Sequence, residues 1–207
     1  MATSMTPERV IQRYDELESE NGTWRNHWDE IADRVLPRYA DSMQSPDNGM
    51  TRGQKRTEKM FDATAALALD RFAAAMESML TPRNQKWQRL KPSDNVLAKD
   101  RSVKLWFEEA TNELFKQRYS PKANYASQQH EVWIGLGAFG TSIMYTDAHD
   151  KGGLRYQATD LREVLFELNH QGIVDTSYRK FSLTARQMKQ RLDVGRWDSL
   201  PDAVMKA

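Results

Sequence analysis

"IGLGAFGTSIMY", residues 134–145, carries Gly135, Gly137 and Gly140 in the spacing G-x-G-x-x-G. Two nucleotide-binding devices share that spacing, the dinucleotide turn of a Rossmann unit and the phosphate-covering loop of a protein kinase. A dinucleotide turn requires a strand before the first glycine and a helix after the last, because the helix N-terminus holds the pyrophosphate. Here the order is inverted. ASQQHEVWIGL before the glycines has helical spacing, and TSIMYT after them is β-branched and strand-like. A kinase loop lies between two strands and takes a valine two residues past its last glycine, where this chain has Ser142. Neither HRD nor DFG occurs downstream. The glycines are therefore read as structural: Gly135 and Gly137 end a helix at a left-handed cap, and Gly140 lets the chain reverse into a strand.

This stretch divides a helical half from a β section. Upstream, a helix is expected from about Thr6 as N-cap with Pro7 at its first position, carrying Val10, Ile11, Tyr14 and Leu17 on one face. Asn21-Gly22 weakens it before Trp24, Trp28, Ile31, Ala32, Val35 and Leu36 continue the helical spacing to Pro37, as one bent helix or two. Residues 38–57 form a polar loop whose basic end is Arg52, Lys55, Arg56 and Lys59. The alanine-rich run 58–80 predicts a helix with Phe61, Leu69, Phe72, Met76 and Leu80 along one side. KWQRLK at 86–91 alternates like a short strand. A helix from about Lys99 to Tyr119 should turn Val103, Trp106, Phe107, Ala110 and Leu114 inward, and another should run from about Lys122 towards Gly135.

Downstream, TSIMYTD, LRYQATD, EVLFELN and GIVDTSYRKFSL read as short strands, with a turn at His170-Gln171-Gly172. Thr184 caps a last helix, TARQMKQRL. The fold class is α+β, a helix-rich half followed by a small antiparallel β section and a C-terminal helix.

The 207 residues are 29% charged and 39% hydrophobic, the balance of a globular chain, and the net charge of +1 gives no global basic field for nucleic acid. Without cysteine there is no disulfide, thiolate nucleophile or cysteine zinc site. No apolar run reaches transmembrane length, and the N-terminus lacks a signal-peptide core, so a soluble chain with no membrane partner is expected. Six tryptophans and ten methionines point to a well-filled core or extensive partner surfaces. His27, His130, His149 and His170 stand apart without metal-ligand spacing. Asp147 and Asp150 flank His149 in a turn that loop chemistry explains better than metal binding. With no GxSxG and no Walker lysine motif, no enzyme mechanism and no cofactor are expected.

Several stretches together carry a resemblance: RYDELESENGTWRNHWDEIADRVLPR (13–38), FDATAALALDRFAAAMESMLTPRNQKWQRLKPSD (61–94), GLGAFGTSIMYTD (135–147) and GIVDTSYRKFSLTARQM (172–188). In this order and spacing they resemble the N-terminal part of the head-to-tail connector, or portal, proteins of short-tailed bacteriophages. The resemblance implies a ring, commonly of twelve subunits, at one vertex of the capsid. A separate terminase threads double-stranded DNA through such a ring, tail proteins attach below it, and the ring itself is not an enzyme. It further implies that residues 1–207 are the N-terminal portion of the wing region, with stem and clip missing because the chain is a truncated form or a partial gene product. Capsid and scaffolding proteins, terminase and a tail adaptor are the implied partners. The implied location is the virion, with assembly in the host cytoplasm.

A closed ring needs a heterologous interface on each subunit. Trp24, Trp28, Trp106 and Trp133 are each read as core residues or interface anchors. The basic loop, Arg52 to Lys59, is expected to be a plain solvated loop, or to face a neighbour's acidic helix or DNA. Two other classes compete. One is a stand-alone nucleic-acid-binding module using Arg52, Arg56, Arg83, Lys86, Arg89 and Lys91. The other is an enzyme built on the glycine loop or the His149 turn.

Overall fold

The computed structural model describes residues 6–36, 60–148, 152–193 and 195. The polar loop 38–57, its cations Arg52, Lys55, Arg56 and Lys59, and the His149-Asp150 pair lie outside the described residues. The chain divides into two units, residues 1–162 and 163–207.

The first unit contains helices α1 (Pro7–Glu20), α2 (Gly22–Val35), α3 (Thr64–Leu80), α4 (Arg101–Arg118) and α5 (Tyr125–Phe139), followed by the hairpin β1 (Ile143–Ala148) and β2 (Leu154–Thr159). The opening helical region is two helices. Asn21 breaks it, closing α1 with its own N–H and its side-chain amide, both donating to the Leu17 carbonyl at 3.0 and 2.8 Å. Thr6 precedes Pro7 with extended backbone, as an N-cap should, but its hydroxyl makes no capping bond. Asp100 caps α4 fully: its carboxylate accepts from the Ser102 hydroxyl and N–H, both at 2.7 Å, which holds it below the usual carboxylate range.

α3 packs on α5 around Leu36, Leu69, Ala73 and Ile134, with Trp133 and Phe139 against the edge of the cluster. The small Ala73 side chain, wholly buried, lets the two helices approach closely. His130 on α5 reaches back to α3, its Nδ1 lying 3.3 Å from Glu77 and its Nε2 3.6 Å from Asp70.

α5 corrects the reading of the glycines. The helix runs through Gly135 and Gly137 and ends only at Gly140, whose φ of +75° makes it the left-handed cap. Gly135 and Gly137 are helical residues chosen for lack of bulk. A Cβ at Gly135 would sit 2.8 Å from Ser142 Oγ, and one at Gly137 would sit 2.7 Å from both Leu69 Cδ1 and Phe72 Cδ1. Two effects oppose each other at Gly137. A side chain raises helix propensity by about 1 kcal/mol over glycine, while overpacking costs about 1–3 kcal/mol. Gly137→Ala should destabilise by about 1 kcal/mol, because the new Cβ meets the buried Leu69, which cannot swing aside as the partly exposed Phe72 ring can. Gly137→Leu should destabilise by about 2 kcal/mol in urea unfolding.

Three further expectations are corrected. Residues 86–91 do not form a strand. They are tied to α4 and its C-cap in place of a neighbouring strand: the Leu90 N–H donates to Thr111 Oγ1 at 3.1 Å and the Trp87 indole N–H to the Tyr119 hydroxyl at 3.1 Å. α3 starts at Thr64, where Asp62 Oδ1 accepts the Thr64 N–H at 2.8 Å, and Phe61 lies before the helix, fully exposed. Trp106 points outward from α4, not into the core; Thr111 is the buried residue of that helix.

β1 and β2 pair antiparallel from Ile143 opposite Thr159 to Ala148 opposite Leu154. The hairpin is bound to the helices by the Tyr156 N–H donating to Ala123 O at 3.0 Å and the Ala158 N–H to Gln128 Oε1 at 2.7 Å.

The second unit holds a separate hairpin, β3 (Val164–Leu168) and β4 (Val174–Arg179), and helix α6 (Ala185–Asp193). The turn at 169–172 stands as read. Asn169 Oδ1 accepts the N–H groups of Gln171 and Ile173 at 2.8 and 3.1 Å, and Gly172 takes φ +76°. The expected cap of α6 is a capping box: Gln187 N–H donates to Thr184 Oγ1 at 3.3 Å, and Thr184 N–H donates to Gln187 Oε1 at 2.8 Å. Arg179 and Arg191 both lie 5.0 Å from the centre of the Phe181 ring. The class is thus α+β as expected, its antiparallel β section made of two two-stranded sheets.

Candidate functional site

An aromatic cluster sets the position of the 86–98 segment in the first unit. Tyr125 is buried at the start of α5, where Asn124 enters the helix with left-handed backbone at φ +54°. The Tyr125 ring stacks on Trp87 at 6.4 Å and meets Tyr119 and Tyr156 edge-on at 5.5 and 4.9 Å. The Arg118 guanidinium covers the cluster, 4.7 Å from the Trp87 centroid and 5.3 Å from that of Tyr125, and donates to Gln88 Oε1 at 3.1 Å. No single residue type marks this cluster in the sequence, because its members come from three separate stretches.

Burial pushes the Tyr125 hydroxyl up to about 12, with the nearby Arg118 charge opposing the shift. An unfolded tyrosine titrates near about 10. A raised folded pKa contributes stability that is fully present below the unfolded value and is lost as pH rises through the folded one. Stability should therefore fall between about pH 10 and 12, and Tyr125→Phe should remove that part of the dependence in an alkaline denaturation series.

Against α4, the segment forms a groove of about 550 Å³. Its cations are Lys86, Arg89, Lys91 and Lys104, and Leu90 and Phe107 contribute apolar lining. Glu108 is the one carboxylate lining the groove. The Lys86 amine donates to Asn112, an uncharged partner. Of the cations singled out in the sequence, Lys86, Arg89 and Lys91 are brought together here. Arg83 is not; it pairs with Glu77 at 2.9 Å.

The four tryptophans divide evenly. Trp28 is half-buried, and Trp133 is half-buried against the α3–α5 core. Trp24 and Trp106 are 60% and 62% exposed. Trp106 has Leu105 beside it, also exposed, and Phe107 edge-on at 4.9 Å. Val96 and Leu97, just before α4, are exposed as well. Among the described residues no group of three or more His, Asp or Glu could hold a metal ion, and no helix is long and apolar enough to cross a membrane.

The described residues thus present an α+β scaffold whose distinctive features are exposed aromatics and charged faces. Comparison with known sequences says what kind. Residues 7–206 match the family described as bacteriophage head to tail connecting protein, and the chain belongs to that family. It is 30% identical over 188 residues to the "Probable portal protein" of Bordetella phage BPP-1, covering 91% of this chain and 33% of that one. It is 28% identical over 186 residues to the "Portal protein" of Salmonella phage epsilon15, covering 88% of this chain and 32% of that one. The chain spans about a third of the length of these curated relatives.

Proposed function

We propose that this chain is part of a subunit of a phage portal ring, a structural and non-enzymatic body at one capsid vertex. The carrying observation is the family match across residues 7–206. In this reading the ring is the conduit for packaging and ejecting double-stranded DNA and the attachment point for the tail. Residues 1–207 supply wing-region structure, and twelve is the expected copy number from the family resemblance. Capsid and scaffolding proteins surround the ring, and terminase and a tail adaptor dock through other parts of the subunit. Assembly takes place in the host cytoplasm, and the finished ring resides in the virion.

The exposed aromatics support the reading, since tryptophan is enriched among the residues that dominate protein interfaces. Trp24→Ser and Trp106→Ser remove exposed rings without touching either core cluster. At least one should weaken self-association by roughly 30-fold, the consequence of losing about 2 kcal/mol at an interface anchor. Sedimentation velocity measures the association, and far-UV circular dichroism checks that the helices remain. Unchanged association in both variants would remove the tryptophans from the interface.

A further inference from the structure

The cationic groove has a counterpart on α1 of the same chain. Tyr14 and Leu17 bury one side of that helix. Away from them lies a face made of Glu8, Ile11, Gln12, Asp15 and Glu16. Helical spacing sets these five on one sector and leaves Arg9 and Arg13 on its flank. Ile11, expected on the face of Tyr14 and Leu17, is instead 62% exposed among these polar residues. Glu16 is paired with Arg13 at 3.0 Å, while Glu8 and Asp15 have no cation partner among the described residues. In the groove, Arg89, Lys91 and Lys104 likewise have no carboxylate partner among the described residues.

We propose that the acidic face of α1 on one copy of this chain seats in the groove between residues 86–98 and α4 on the next. The inference rests on the ring reading and names its contact. Ile11 would meet Leu90 and Phe107, and the carboxylates of Glu8 and Asp15 would meet Arg89, Lys91 and Lys104. The two faces are complementary in both respects: two carboxylates without a cation partner among the described residues, with the Arg13-paired Glu16 beside them, surround an exposed isoleucine, against four cations and the single carboxylate Glu108 around an apolar lining. They are also different surfaces of one unit, so the contact is heterologous, the kind that propagates from copy to copy and closes into a ring when the rotation allows. A DNA backbone would satisfy the cations alone. It offers nothing to the apolar lining and leaves the α1 face without a role, so a second copy fits better.

The absence of cysteine from the chain makes a clean test available. Ile11→Cys and Leu90→Cys are introduced singly and together, and the full chain is treated with a short bismaleimide. The double variant should give a ladder of trimers and longer covalent chains, a mixture of the single variants should stop at dimers, and added salt should reduce both products. In the double-cysteine background, R89E/K91E/K104E should suppress the ladder by about a hundredfold, because like charges then face each other across the contact. Adding E8K/D15K/E16K to that variant should restore it, which also shows that the suppressed variant was folded. A chain that self-associates by mass yet gives no ladder overturns this contact and leaves the ring reading standing. A ladder that survives groove reversal, with DNA retention lost instead, overturns it in favour of a nucleic-acid surface. A chain with neither ladder nor self-association overturns both.

Discussion

Tyr125→Ala should lower the stability of the first unit by about 4 kcal/mol, within the range of about 3–5 kcal/mol typical of removing a buried aromatic ring. The ring is surrounded by Trp87, Tyr119 and Tyr156, so a truncated side chain leaves a cavity that these rigid rings fill poorly. Tyr125→Phe keeps the ring and should cost less than about 1 kcal/mol. Urea unfolding followed by tryptophan fluorescence measures both, the loss appearing in the midpoint with little change in slope. The variant also has a local consequence. Trp87 is fixed by Tyr125 and by its bond to Tyr119, and the segment it fixes is one wall of the groove. Loosening of residues 86–91 should show as faster amide exchange there under conditions where the α3–α5 core remains protected.

Ile134→Ala should cost about 3 kcal/mol, the middle of the range for deleting a buried aliphatic side chain. Ile134 lies on α5 against Leu36, Leu69 and Ala73, where α2, α3 and α5 meet. A cavity there loosens three helices at once. The contrast with a surface change on the same unit is the check. Leu105→Ala, on an exposed residue, should shift the midpoint by no more than about 0.5 kcal/mol. A comparable loss at both positions would mean that burial does not set the stability of this unit.

Much of the architecture was legible because period and punctuation agreed. The four strands, the turn at 169–172 and the cap at Thr184 follow from alternation, an Asx-type turn and a capping box, which are all local. The errors arose where a neighbour decided the outcome. Gly135 and Gly137 looked like a helix end because glycine weakens helices, yet the closeness of Leu69, Phe72 and Ser142 is the reason they lack side chains. The alternation of residue types at 86–91 does not appear as alternating burial; the stretch is tied to α4 through the Leu90 N–H and Thr111 and not to a strand. Trp106 shares the helical spacing of Val103 and Phe107 but lies outside the buried arc, and spacing alone does not fix the width of that arc. The groove was only half visible. Lys86, Arg89 and Lys91 stood out as local charge, but Lys104 and Phe107 join them only through the packing of the segment on α4. The α1 face is not visible in the sequence at all, because Ile11 shares helical spacing with Tyr14 and Leu17 and only packing shows it turned outward.

The proposed ring requires this chain to carry contacts that join its copies head to tail. Mass by multi-angle light scattering, taken together with negative-stain images of the same sample, tests it most directly. One species of about twelve copies is expected, with closed annular images and a narrow mass distribution, because a heterologous contact with the correct rotation closes on itself. A chain that remains monomeric at every concentration, or that forms open filaments of indefinite length, would contradict it.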